Sequence, residues 1–201
     1  MLYCFGDAGG LEYSRTIKNS AYKAVQKRIF DAMGAAYAVL GNKPGPVILI
    51  AQSLGCQVIS NYIWDAQHHA PYRDVLPPGI WDNAHSTLDP ADLKFRKFSS
   101  LHVLVTTGCN IPIFVGGLPR EQITPIKAPN TRFVWGNYYD EDDALGWPLQ
   151  DLSDDYKARA KDIEVNAGGF LTSWNAFSHG QYWGDKDVQK PLANHVLRSL
   201  G

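Results

Sequence analysis

Ser53 stands in the run Ala51-Gln52-Ser53-Leu54-Gly55, between an apolar stretch, Val47 to Ala51, and a segment of helical period. Small residues two before and two after the serine let the backbone turn tightly and push the side chain out on a strained corner. The N–H of Leu54 then heads a helix, where it can face an oxyanion with help from the helix dipole. The blander alternative is a serine that caps the following helix. A serine hydroxyl is a weak nucleophile and needs a base. Of the 6 histidines, His179 is the candidate. It lies in Phe177-Ser178-His179-Gly180, after the last expected strand and before the last helix, at the end of the sheet where strands deliver functional residues. His195 falls inside the closing helix and reads as structural. His102 enters a strand, and His68 and His69 are a weak metal pair with no third ligand, so no metal site is expected. A carboxylate must orient the imidazole. The acids Asp140-Glu141-Asp142-Asp143 follow the third strand. Their spacing lacks the alternating ligands and distal Glu of a calcium loop.

Those residues need a scaffold. Leu2 to Phe5 reads as a short strand, broken by Gly6 and by Gly9-Gly10. Tyr22, Val25, Ile29, Met33, Ala36 and Leu40 recur at helical spacing from Ser20, and Gly41 is a natural stop. Val47 to Ala51 is apolar on both faces, which suits the middle of a parallel sheet. A helix is expected from Leu54 to about Ala66, further strands at Leu101 to Thr106, Arg132 to Trp135 and Ile163 to Asn166, and a closing amphipathic helix from Asp187 to Leu200. Pro191 would mark its first turn or a kink. Residues 67–99 show little periodicity and are expected as a lid-like or surface excursion. Alternation of this kind argues for an α/β fold, a three-layer α/β/α sandwich around a mainly parallel sheet, in one domain over residues 1–201.

Composition narrows the function. The chain of 201 residues is 45% hydrophobic and 19% charged, which is ordinary globular composition. A formal net charge of -1 with no basic block argues against nucleic acid as a partner. Cys4, Cys56 and Cys109 are an odd set at unremarkable spacing and read as reduced, buried thiols. No signal peptide and no membrane span are visible, so a cytoplasmic location is expected.

In its elbow Ala-Gln-Ser-Leu-Gly, its acid loop Asp142-Asp143-Ala144-Leu145-Gly146-Trp147-Pro148-Leu149 and the run Ser-His-Gly-Gln-Tyr-Trp around His179, the chain resembles the α/β-hydrolase superfamily. The order Ser, acid, His is that superfamily's order. The resemblance implies a serine esterase working through Ser53, His179 and an acid, with an acyl-enzyme, a small-molecule acyl substrate and no cofactor. In such enzymes the acid is often followed by one residue and then a small or branched one. Asp142 fits that spacing best, with Asp143 second and Asp140 third. Gln52 and Trp81 are candidates for substrate contact, with Tyr72 as a further apolar wall. Family members begin with more strands and a loop that supplies a second oxyanion donor. Here the only early strand is Leu2 to Phe5, so the front of the sheet is expected to be shortened. The donor is then Gly6 to Gly10 or is missing. A shortened sheet edge is one that a homo-oligomer could cover. The alternative function is a catalytically weak relative that binds a ligand or partner.

Overall fold

The computed structural model describes residues 20–68, 87–166, 179, 182–184 and 186–200. The expected strand Leu2 to Phe5, the loop Gly6 to Gly10, Cys4, Tyr72 and Trp81 lie outside them. In chain order the elements are α1 (Ala21–Val39), β1 (Val47–Gln52), α2 (Leu54–His68), α3 (Pro90–Arg96), β2 (Leu101–Thr107), α4 (Ile111–Val115), a 3-10 turn (Arg120–Gln122), β3 (Val134–Tyr139), α5 (Asp154–Arg159), β4 (Lys161–Glu164) and α6 (Lys186–Leu200). The four strands form one sheet in the order β1-β2-β3-β4, and every pairing is parallel. The fold is therefore α/β. The described residues divide into two compact units, one within 46–60 and 101–201, the other within 1–45 and 61–100. The helix α2 starts in the first and ends in the second.

The first unit holds the sheet. β2 is buried along nearly its whole length, as an inner parallel strand should be. On one face Val103, Val105 and Tyr138 form a buried cluster covered by Ile163, Val165, and Leu192 and Val196 of α6. Leu192 and Val196 are four residues apart, so both fall on the same side of the helix. Full burial of an apolar side chain such as Val103 or Val105 contributes roughly 2 kcal/mol, and the partly buried Leu192 and Val196 contribute less. On the other face, beside the buried Leu104, the polar groups of Trp135, Thr106 and Asn137 are hydrogen-bonded. Trp135 Nε1 donates to Thr106 Oγ1 (3.0 Å), Thr106 Oγ1 donates to Asn137 Oδ1 (2.8 Å), and Asn137 Nδ2 donates to Asp162 Oδ1 (2.8 Å).

Several expectations shift here. β1 is the end strand among the described residues, with Ile48 36% and Ile50 40% exposed, rather than a strand covered on both faces. β3 does not span Arg132 to Trp135 but starts at Val134 and runs on through Gly136 and Asn137 to Tyr139. Gly136 lets α6 approach, since a Cβ there would lie 3.0 Å from His195 Cε1, and Asn137 is tied into the network just described. β4 runs over Lys161–Glu164 rather than Ile163 to Asn166. Pro191, expected at a first turn or a kink, lies inside α6, and its carbonyl accepts from the Tyr138 hydroxyl at 3.2 Å.

The second unit is built on α1, with Ser20 as its N-cap and Tyr22, Gln26, Met33 and Tyr37 buried. α3 packs on α1 within the stretch expected to lack periodicity. Asp89 caps it with Pro90 in its first turn, a start signal present in the sequence. Arg96 pairs with Asp92 at 2.8 Å, donates to the Phe30 carbonyl at 3.1 Å and lies 4.5 Å from the Phe30 ring centroid.

Candidate active site

Parallel strands deliver their C-terminal ends to the same end of a sheet, and the site is assembled there. Gln52 is the last residue of β1 and pairs with Thr107, the last of β2. The next residue on each strand is the corner. Ser53 takes φ +54, the left-handed region that non-glycine residues rarely adopt, and its N–H donates to the Thr107 carbonyl at 3.1 Å. The helix α2 begins at once with Leu54. A serine that merely caps a helix needs no such backbone, so the strain accompanies a half-buried hydroxyl turned toward the histidine.

The structure brings Ser53 and His179 together: His179 Nε2 and Ser53 Oγ are 2.6 Å apart. The other ring nitrogen, Nδ1, is 2.8 Å from a carboxylate, and that carboxylate belongs to Asp143. Asp142, the first-ranked acid on spacing, is not at the imidazole. Its side chain is exposed, whereas that of Asp143 is fully buried. The reason is the turn after β3. Asp142 N–H donates to Asp140 Oδ1 at 2.9 Å, and Asp143 N–H donates to the Asp140 carbonyl at 3.0 Å. The chain thus reverses over Asp140 to Asp143 and points the fourth residue inward. A second turn follows, with Gly146 N–H on the Asp143 carbonyl at 3.1 Å. The loop is then pinned by Trp147 N–H on the Cys109 carbonyl (3.0 Å) and by Asp162, which accepts from the N–H groups of Leu149 (3.0 Å) and Gln150 (2.8 Å).

Burial by itself would raise the Asp143 carboxyl. Hydrogen bonds from His179 and the Leu145 N–H, the His179 charge and the Tyr182 hydroxyl outweigh it, and the group lies below the usual carboxylate range. It is therefore ionised at neutral pH, as an acid that accepts from an imidazole N–H must be.

Two glycines make room. Gly108 sits at φ +53, and a Cβ there would lie 3.0 Å from the His179 ring and 3.0 Å from Tyr182. A Cβ on Gly146 would meet Asp143 Oδ2 and stand 2.8 Å from the Gly108 Cα. Neither was singled out from the sequence. Their signal is position, since one follows β2 directly and the other lies three residues after Asp143 within the acid loop. Gly55, by contrast, has nothing among the described residues within 4 Å of a Cβ.

Gln52, expected at the substrate, has its amide engaged at both ends within the chain. Nε2 donates to the His179 carbonyl at 2.8 Å, and Oε1 accepts from the Trp183 indole N–H. Leu54 N–H also has a neighbour. With the Asn110 amide turned so that both its atoms are satisfied, Nδ2 donates to the Ser53 carbonyl (2.9 Å) and Oδ1 accepts from Leu54 N–H at a long 3.3 Å. Nothing in the local sequence singles out Asn110, which lies three residues past the end of β2.

Cys56 and Cys109 are free and buried. His195 sits in α6 against Tyr138, with ring centroids 6.2 Å apart. Among the described residues no cluster of His, Cys, Asp and Glu could hold a metal ion, and no helix is long and apolar enough to cross a membrane. No protein-family model, curated protein or solved structure matches this chain.

Proposed function

We propose that the chain is a serine hydrolase of the α/β-hydrolase type that cleaves an ester or similar acyl bond. The observation that carries this is the relay from Ser53 Oγ to His179 Nε2 (2.6 Å) and from His179 Nδ1 to the Asp143 carboxylate (2.8 Å). Ser53 Oγ attacks the acyl carbon while Nε2 takes its proton. The imidazolium is stabilised by Asp143 and then protonates the leaving oxygen as the acyl bond breaks. Water deprotonated by the same nitrogen attacks the acyl-enzyme, and the proton returns to Ser53 as the acid leaves. The chain's own residues suffice for each proton transfer. Among the described residues, the Leu54 N–H, which heads α2, has the long 3.3 Å contact to Asn110, and a developing oxyanion can replace that acceptor.

A second reading, a relative that binds an acyl ligand without efficient turnover, is favoured by that same contact. An oxygen already facing the Leu54 N–H competes with the oxyanion.

A fluorophosphonate probe and an activated ester such as p-nitrophenyl acetate separate the two. The enzyme reading expects stoichiometric labelling of Ser53, loss of labelling in Ser53→Ala, and turnover of the ester. Folded protein that takes up no probe would sink it.

A further inference from the structure

Tyr182 has a place in this site beyond the three groups of the relay. It lies three residues after His179 and is buried. Its hydroxyl donates to Asp143 Oδ2 at 2.9 Å, the same oxygen that faces His179 Nδ1 at 2.8 Å. The Tyr182 oxygen in turn accepts from the Asp140 N–H at 3.1 Å. Asp143 Oδ1 is occupied separately by the Leu145 N–H at 2.9 Å. One carboxylate oxygen therefore receives two donors from one segment of chain, and the acid turn donates back to the second of them. A buried phenol needs a partner, and a backbone carbonyl would serve. Here the partner is the charged oxygen that orients the base.

We infer that Tyr182 is a positioning residue. It holds Asp143 Oδ2 in line with His179 Nδ1 and takes a share of the carboxylate's charge that the imidazole would otherwise receive alone. The kinetic consequence rests on the hydrolase proposal; the hydrogen-bond consequence rests on the geometry.

Among the described residues, the titratable groups hydrogen-bonded to the Asp143 carboxylate are His179 and Tyr182, both from the segment before α6, and Asp140 of the same turn meets Tyr182 through its N–H. Burial, then the Asp143 charge, then the hydrogen bond to Asp143 push the Tyr182 phenol far above its ordinary value; the Asp140 N–H opposes this and the Asp140 charge adds to it. Tyr182 thus remains a donor throughout the working pH range. The Asp140 N–H on its oxygen polarises the O–H and strengthens that donation.

The test is Tyr182→Phe in the full chain, which keeps the ring and removes only the hydroxyl. Without the second donor, the charge on Oδ2 falls on His179 alone, and the His179–Asp143 couple takes up its proton at higher pH. A hydrogen bond to a charged group of ordinary strength corresponds to about one pH unit. The acid limb of kcat/KM on an activated ester should therefore rise by about one unit. At the plateau kcat should fall about tenfold with KM unchanged, and the low-field proton resonance of His179 Nδ1–H should move further downfield. A purely structural tyrosine would lower Tm and leave the acid limb and the resonance in place, and that result in folded Tyr182→Phe overturns the inference. If the native protein neither labels at Ser53 nor turns over ester, the hydrolase proposal fails instead. The imidazole resonance then decides alone: a downfield shift upholds the positioning bond, and an unmoved signal overturns it.

Discussion

Asp142 and Asp143 are adjacent in sequence and opposite in environment. One is exposed on a turn; the other is fully buried against His179, Tyr182 and the Leu145 N–H. Spacing from a family pattern could not separate them, because a turn that closes on Asp140 advances the inward position by one residue. Asp143→Asn should therefore reduce ester turnover by about four orders of magnitude, since an amide no longer fixes the imidazole tautomer. Asp142→Asn should stay within a few-fold of the parent. Steady-state kinetics on the two folded variants checks this, and equal losses would mean that the histidine is oriented by another group. Gln52 is decided at the same scale. Its amide ties the elbow to the backbone of His179 and to the Trp183 indole, a geometry in which its loss should be felt first at the imidazole. Gln52→Ala should lower kcat about tenfold, the value of about one hydrogen bond, and leave KM near its original level. A rise in KM at constant kcat would restore the substrate-contact expectation.

Strand, corner and helix were legible in the sequence wherever hydrophobic periodicity and a breaker agreed. Ser20, the apolar stripe from Tyr22 and the stop at Gly41 bracket α1 to within a residue or two. Val47 to Ala51 and Leu101 to Thr106 are strands as expected, and Ser53 is at the corner between β1 and α2. Legibility failed where polar or small residues serve long-range partners. Gly136 and Asn137 look like a turn locally, yet they continue β3 because α6 packs on one and Thr106 and Asp162 hold the other. The short helices α3 and α5 carry caps at Asp89 and Ser153 but too few turns for a period to show. Glycines were read as breakers, whereas at Gly146 the need is close approach. Gly146→Ala should push the Asp143 side chain from its place, reduce turnover at least tenfold and lower Tm. Gly55→Ala is the contrast, because a Cβ there meets nothing among the described residues within 4 Å and replaces glycine in a helix. It should raise stability by about 0.5–1 kcal/mol. Thermal melts and probe labelling of both variants test whether space or the mere presence of glycine governs each position.

At the scale of the molecule, a formal net charge of -1 leaves little global repulsion, so the pH dependence of stability falls to individual buried groups. Two are placed to act in the sheet-bearing unit. Burial, and secondarily the charge of Lys161, hold His195 below the ordinary histidine value. Hydrogen bonds hold Asp143 below the ordinary carboxylate value despite its burial. Both folded-state values are depressed, so the unfolded chain binds the proton more readily in each case. The stability that each contributes is fully present above its unfolded value and is lost as pH falls through the folded one. For His195 the loss begins near the unfolded histidine value of about 6.5, and for Asp143 near about 3.9. The windows are far enough apart to be read separately. Between pH 7.5 and 5.5 the melting temperature should fall, and in His195→Gln that fall should be smaller, because the neutral amide has no proton to gain. Below pH 4 the two proteins should again lose stability in parallel, since Asp143 is intact in both. A calorimetric series across both windows measures this. An equal loss between pH 7.5 and 5.5 in parent and variant would show that the packing of α6 over β3 does not depend on the neutral state of His195.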